Sequence, residues 1–171
     1  PAEDDTVAKH FDLVVNKLVE AGIMQYEVSN YAKPGKEAVH NSNYWDHVNY
    51  LGLGPGAHSF WWDEDLHSAK RWSNKPDLRS YLNSDWTEPF ETETLDMYEL
   101  AEERLMLGLR TRAGVSIDEL RNRYQYSLNP DQLHYLNQLE NSEKAVVDEN
   151  IRLTKNGLKI ADSILLDILT K

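Results

Sequence analysis

The sequence contains no cysteine. That excludes a disulfide, a thiolate nucleophile, a thiolate zinc site and a cysteine-ligated iron–sulfur cluster held by this chain. It fits a reducing, cytoplasmic location. No apolar run approaches the ~20 residues that cross a bilayer. The opening Pro1-Ala2-Glu3-Asp4-Asp5 has neither the basic nor the apolar region of a signal peptide. Positive charge is scarce, with 18 Lys and Arg against 29 Asp and Glu and a net charge of −11. Nucleic acids and anionic membranes are bound through a basic face that releases counterions, so this balance argues against both. An initiator Met is also missing, which leads us to expect a piece of a longer chain.

What is present suits a folded protein. The 171 residues suffice for one large domain or two small ones, and 40% hydrophobic with 27% charged residues is ordinary. Residues 4–22 predict an amphipathic helix, with Val7, Phe11, Val14, Leu18 and an offset Val15 on its apolar stripe. Asp4 and Asp5 would cap it and Gly22 would stop it. Residues 25–29 alternate as a strand, and Tyr50-Leu51-Gly52-Leu53 predicts another before Gly54-Pro55-Gly56. A strand is expected over 66–72 and a short helix from Lys75-Pro76. Residues 83–92 form a polar connection, and we place a domain boundary within 84–93, giving units at 1–84 and 94–171. The second unit predicts helices over 94–110 with Thr94 as cap, from the Ser116 capping box, and from Asn129-Pro130. A hairpin follows at 145–153, then a last helix capped by Thr154. Three helices, a hairpin and a helix make a winged-helix-like pattern. Its recognition helix carries no Lys or Arg between Asp131 and Glu140, against phosphate binding.

Residues 26–60 have the least ordinary composition. They hold His40, His47 and His58 of the six histidines and Gly35, Gly52, Gly54 and Gly56 of the eight glycines. His40-Asn41-Ser42-Asn43-Tyr44-Trp45 admits two readings. Imidazole is an iron, zinc or haem ligand beside aromatics that can stack on a flat cofactor. Alternatively, His and Asn satisfy backbone groups while Tyr-Trp anchors a loop. The spacings among His40, His47, His58 and His67 match no standard zinc pattern. Gly52-Leu53-Gly54-Pro55-Gly56-Ala57 is not a dinucleotide fingerprint, leaving close backbone packing or contact with an adenosyl cofactor. Asp63-Glu64-Asp65, Glu91-Glu93 and Glu102-Glu103 read as solvated faces.

Three motifs in order carry a family resemblance. Tyr26-Glu27-Val28-Ser29-Asn30-Tyr31-Ala32-Lys33-Pro34-Gly35, then His40-Asn41-x-x-Tyr44-Trp45, then Tyr50-Leu51-Gly52-Leu53-Gly54-x-Gly56-Ala57-His58-Ser59 resemble radical SAM proteins of the oxygen-independent coproporphyrinogen III oxidase-like family. The HNxxYW segment is similar to the haem chaperone branch. Residues 105–110 with Gly114-Val115 resemble the start of the family's C-terminal domain. The resemblance implies an α+β chain: the end of a partial (β/α)6 barrel followed by a helical, winged-helix-like domain. It implies haem at His40, the candidate iron ligand, with Asn41, Tyr44 and Trp45 around it. It implies Ser29 and Gly54 to Ala57 near S-adenosylmethionine, and a [4Fe–4S] cluster in the parent protein on a CxxxCxxC motif that this chain lacks. The family's oxidase branch has an Asp where Ser29 stands. No catalytic residue is assigned to this chain. The implied activity is delivery of haem to client haemoproteins. The alternatives are anaerobic oxidative decarboxylation of coproporphyrinogen III by the parent, and a folding or interaction module that self-associates through an exposed sheet edge.

Overall fold

The computed structural model describes residues 4–83 and 89–171, with the side chains of residues 4, 5, 7 and 8 outside that description. The caps expected at Asp4 and Asp5, and the boundary expected at 84–88, therefore lie outside the described residues. The chain is α+β, with three small antiparallel sheets and helices packed around one continuous core.

Helix α1 runs Asp4–Glu20, and Gly22 at φ +72° turns the chain out of it. The apolar stripe is rotated from expectation. Val15 is 4% exposed whereas Val14 is 53% exposed, because Val15 is the residue that faces the rest of the chain. The strand expected over 25–29 is shorter. β1, Met24–Gln25, pairs with β2, Tyr31–Ala32. Beyond Gln25 the backbone bonds elsewhere: Val28 N–H donates to Arg110 O, and Tyr26 O accepts from Arg112 N–H. These bonds tie the first third of the chain to the end of the long central helix.

Helix α2, Val39–Trp45, contains the HNxxYW segment. β3 (His58–Asp63), β4 (Ser68–Ser73) and β5 (Glu91–Leu95) form an antiparallel sheet in that order. The strand expected at 50–53 is only a single bridge, Tyr50 to Phe60, and the true strand begins at His58. Gly52 explains this. A Cβ there would lie 2.1 Å from His58 O, so the two backbones meet at one glycine. Pro76 precedes the next helix rather than starting it, since Asp77 caps α3, Leu78–Leu82.

Helix α4, Met97–Leu109, is the centre of the fold. It starts later than expected because Asp96, not Thr94, is its cap, and Asp96 with Glu99 closes a capping box. Thr94 and Leu95 belong to β5 and not to the helix, and because β5 begins at Glu91 the end of the polar connection expected over 83–92 is also strand. Leu100, Ala101, Leu105 and Leu109 are wholly buried. Each leucine contributes roughly 2 kcal/mol by leaving water. Around α4 pack β6 (Val115–Ser116), α5 (Ile117–Tyr124), α6 (Pro130–Asn141), β7 (Ala145–Val147), β8 (Asn150–Leu153), α7 (Lys155–Leu158) and α8 (Ala161–Leu169). Strand order is β6-β8-β7, all antiparallel. Asn129 and Ser116 cap their helices as expected, but the Glu119 carboxylate points to Arg104 instead of completing a box. Thr154 caps only α7, and the expected last helix is broken into α7 and α8 at Lys159-Ile160.

Gly114 marks a point of close backbone approach beside α4. Its φ is +76°, and a Cβ there would lie 2.1 Å from Ile151 O. Gly114→Ala is expected to destabilise the fold by about 2–4 kcal/mol through strain and collision. Urea unfolding checks this, since a midpoint matching the parent's would remove the claim.

Candidate functional site

Helix α2 is seven residues long, has no side-chain N-cap bond and buries no residue fully. A helix this short does not persist on its own propensity. Tertiary contacts at its C-terminal end hold it. Arg104, on α4 and 7% exposed, donates from a terminal nitrogen to Trp45 O at 3.1 Å. The same guanidinium binds the Glu119 carboxylate of α5 at 2.9–3.2 Å and lies 3.7 Å from Asp46. A cation at a helix C-terminus is favourable, and a planar fork serves several oxygens at once.

His47 follows, at φ +51° and 4% exposed. Its carbonyl accepts from Trp62 Nε1–H at 2.8 Å, and its Nδ1 lies 3.1 Å from Tyr124 Oη. Burial holds the Tyr124 phenol well above the usual range, so that hydroxyl keeps its proton. His47 Nε2 lies 3.4 Å from Glu103 Oε2 and has no hydrogen-bond partner among the described residues. Glu103 is gripped by Arg71 at 2.6 and 2.9 Å. Burial alone would raise the Glu103 carboxyl. The adjacent His47 ring and Arg71 guanidinium outweigh it and hold the carboxyl below its usual value. Glu103 is therefore not part of a solvated acidic face, which corrects the expectation for Glu102-Glu103. The Arg71–Glu103 pairing escaped sequence reasoning because the two residues stand 32 apart in the chain.

Between these groups and α2 lies a cavity of about 270 Å³, lined by Tyr44, Tyr50, Phe60, Met106, His47 and Arg71 among others. Its aromatic rings form a ladder. Tyr44 meets Tyr50 edge-on at 4.6 Å, Tyr50 stacks over Phe60 at 6.1 Å, and Phe60 stacks on His47 at 5.3 Å. On the outer face of α2, the i,i+4 spacing brings Tyr44 Oη within 3.1 Å of His40 Nε2. His40 is exposed and Tyr44 is 40% exposed. Asn41 is half-buried, and Trp45 Nε1 is buried with no partner among the described residues.

The other expected site residues lie elsewhere in the chain. Ser29 is exposed in the turn between β1 and β2. Gly54, at φ +107°, and Ala57 sit in the loop before β3. Asn74 stitches that loop, donating to Gly52 O and Gly54 O and accepting nothing from α2, while Ala57 O accepts from Asn74 N–H. No hydrogen bond joins Ser29 or this loop to α2 among the described residues. Among the described residues no group of three or more His, Asp or Glu gathers to hold a metal ion. No helix of the described residues is long and apolar enough to cross a membrane.

Comparison with known proteins identifies the central and following elements. Residues 95–160 match the HemN C-terminal domain family. This chain carries a HemN C-terminal domain. The resemblance to oxygen-independent coproporphyrinogen III oxidase-like radical SAM proteins, haem chaperone branch, is thereby borne out. The relatives extend it over nearly the whole chain. It is 29% identical over 166 residues to the heme chaperone HemW of Lactococcus lactis, covering 96% of this chain and 42% of the relative. It is 34% identical over 148 residues to HemW of Bacillus subtilis, covering 81% and 38%. A mitochondrial radical S-adenosyl methionine domain-containing protein 1 of Bos taurus is 31% identical over 170 residues, covering 90% and 37%. The chain thus spans about two-fifths of the length of these relatives. Coproporphyrinogen III oxidase (HemN) of Escherichia coli, a radical SAM enzyme, shares the fold, with a TM-score of 0.71 and 14% identity over 98% of this chain and 42% of that one.

The Glu103 pairing predicts a pH dependence. A carboxyl whose folded value is depressed stabilises fully above its unfolded value, near 4.5, and loses that stabilisation as pH falls through the folded value. Glu103→Gln should lower stability by about 1–3 kcal/mol at neutral pH, where Arg71 loses its main partner. It should also flatten the acid limb of the stability curve below about pH 4.5. Thermal unfolding across that range tests this, and parallel acid limbs for parent and variant would contradict it.

Proposed function

We propose that this chain is the haem-binding part of a protein that carries haem to client haemoproteins. The observation that carries this reading is the exposed His40–Tyr44 pair on a helix anchored at its C-terminal end. Haem meets there an imidazole, a phenol and the aromatic edge of the cavity, with Asn41 and Trp45 flanking. The HemW relatives are named as heme chaperones, which supports the same reading. In this reading residues 1–84 are the end of a partial barrel with a bridging region, and 94–171 a winged-helix-like domain. A preceding part of the parent would hold the [4Fe–4S] cluster, since no cysteine of this chain is available for it. Ser29, Gly54 and Ala57 would face S-adenosylmethionine bound by that part. The location would be cytoplasmic, and the β1–β2 edge offers a place for another copy to add.

Ferric haem titrated into the full-length protein should bind, with an absorbance change that saturates. His40→Ala should weaken the complex about tenfold, equivalent to ~1.4 kcal/mol. Equal binding in the variant would remove His40 from the site, and no binding by the parent would remove the function.

A further inference from the structure

We infer that the cleft between α1 and the β7–β8 hairpin binds a small amphipathic anion, an aliphatic chain ending in one carboxylate. No residue of α2 lines this cleft, and the inference is independent of the haem-binding reading. The cleft encloses a cavity of about 450 Å³. That lies within the ~300–1,000 Å³ typical of small-molecule pockets.

Three parts of the chain build its apolar floor. α1 supplies Val15 and Val19, β1 supplies Met24, and the hairpin with α7 supplies Val146, Leu153 and Leu158. Val15 and Val19 stand at i,i+4 and share one helical face. Gly22, at φ +72°, then turns the chain so that β1 returns beside the helix. Val146 pairs with Arg152 across the hairpin, so an apolar and a cationic side chain leave the same face of that sheet. Val19 and Val146 are 45% and 44% exposed, which leaves apolar surface in water that an aliphatic chain would cover.

The polar side of the cleft is cationic. Arg112, Arg152 and Lys155 line it, and among the described residues no Asp or Glu does. Two of these cations are already met. Arg152 is held by Asp148, and Lys155 donates to Asn16 Oδ1 at 3.0 Å with Asp12 3.9 Å away. Arg112 is exposed, and its side chain meets no carboxylate among the described residues. Its backbone N–H donates to Tyr26 O at 2.9 Å, which fixes the base of the side chain beside β1. In a chain of net charge −11, a guanidinium without a carboxylate at the edge of an apolar cleft has an unfilled role. Its planar fork matches a carboxylate bidentately, and one uncompensated cation suits one negative charge.

A peptide is a poorer occupant. β7 is the outer strand of its sheet, but Val147 N–H already donates to Glu140 Oε1 at 2.8 Å, so that amide is not open to an added strand.

The test titrates the full-length protein with sodium decanoate, sodium acetate and decyltrimethylammonium, read by calorimetry. Arg112→Gln and Val146→Glu change exposed positions, and their thermal unfolding without ligand confirms that they fold. Decanoate should bind saturably at one site with a negative heat-capacity change. Acetate, which lacks the chain, and decyltrimethylammonium, which reverses the charge, should each bind at least about tenfold more weakly. Arg112→Gln and Val146→Glu should each weaken decanoate about tenfold, with ferric haem binding by Arg112→Gln unchanged. No decanoate binding by the parent would overturn the inference, as would equal binding of decyltrimethylammonium, which would make the cleft an apolar surface without preference for an anion. Unchanged decanoate affinity in both variants would place the ligand elsewhere and overturn it. Parallel loss of haem and decanoate in Arg112→Gln would also overturn it, by merging this cleft with the haem site. Binding to phosphatidylglycerol vesicles in place of free decanoate would overturn it in favour of a membrane surface.

Discussion

The constraint on which the site depends is one buried guanidinium. Arg104 projects from the central helix into a place where water cannot serve it, and two other segments supply its partners: Glu119 on α5, and the Trp45 carbonyl with Asp46 at the end of α2. Stranding one member of such a cluster costs about 3–5 kcal/mol, far more than the pair contributes relative to apolar packing. The geometry is therefore specific rather than merely stabilising. A lysine could hold one oxygen but not meet a carboxylate and a carbonyl from opposite edges of one plane. Because α2 lacks an N-cap bond and a buried face, the contact at its last carbonyls turns residues 39–45 into a helix. Once they are helical, His40 and Tyr44 must share a face.

Fixing α2 at one end divides the histidines by role. His47, just past the helix, is enclosed: its carbonyl, Nδ1 and Nε2 face Trp62, Tyr124 and Glu103 respectively. It joins α2 to the β3–β5 sheet and to α4 and α5 together. His40, seven residues earlier, is exposed and meets Tyr44. Burial and exposure, more than residue type, separate the structural imidazole from the one free to meet a ligand. Arg71 extends this inner network to Glu103 and, at 3.3 Å, to Glu93 on β5.

Local chemistry was legible in the sequence where it decides structure by itself. Asn129-Pro130 announced α6, Ser116 announced α5, and Asp148-Glu149-Asn150 announced the β7–β8 turn, because caps and tight turns need particular side chains at particular offsets. Of the β3–β5 sheet only β4 was legible, as the strand expected over 66–72, and the strands on either side of it were hidden. β3 carries Phe60 and Trp62 on its buried face but Trp61 on the other, which blurs alternation, and β5 is almost wholly Thr and Glu. Its strand identity comes from pairing with β4, not from its own pattern. The HNxxYW motif was visible, yet its helical form was not, since no period of apolar residues marks 39–45. The support beneath it comes from Arg71, Glu103 and Arg104, whose partners are 15 to 59 residues away. Spacing along a chain carries no record of such distances.

Size bears on how the site would work. The cavity under α2 holds about 270 Å³, below the ~300–1,000 Å³ of pockets that engulf a drug-sized ligand. A porphyrin macrocycle cannot be enclosed there. It would rest on the outer face of α2, with one edge at the aromatic ladder and most of its surface open. Such seating sacrifices the affinity that full burial gives, because little apolar area leaves water. A storage protein or an enzyme that guards a reactive intermediate is poorly served by that arrangement. A carrier is well served by it. In the proposed reading, the open side would let a recipient contact the cargo before the donor lets go, without opening the core around α4.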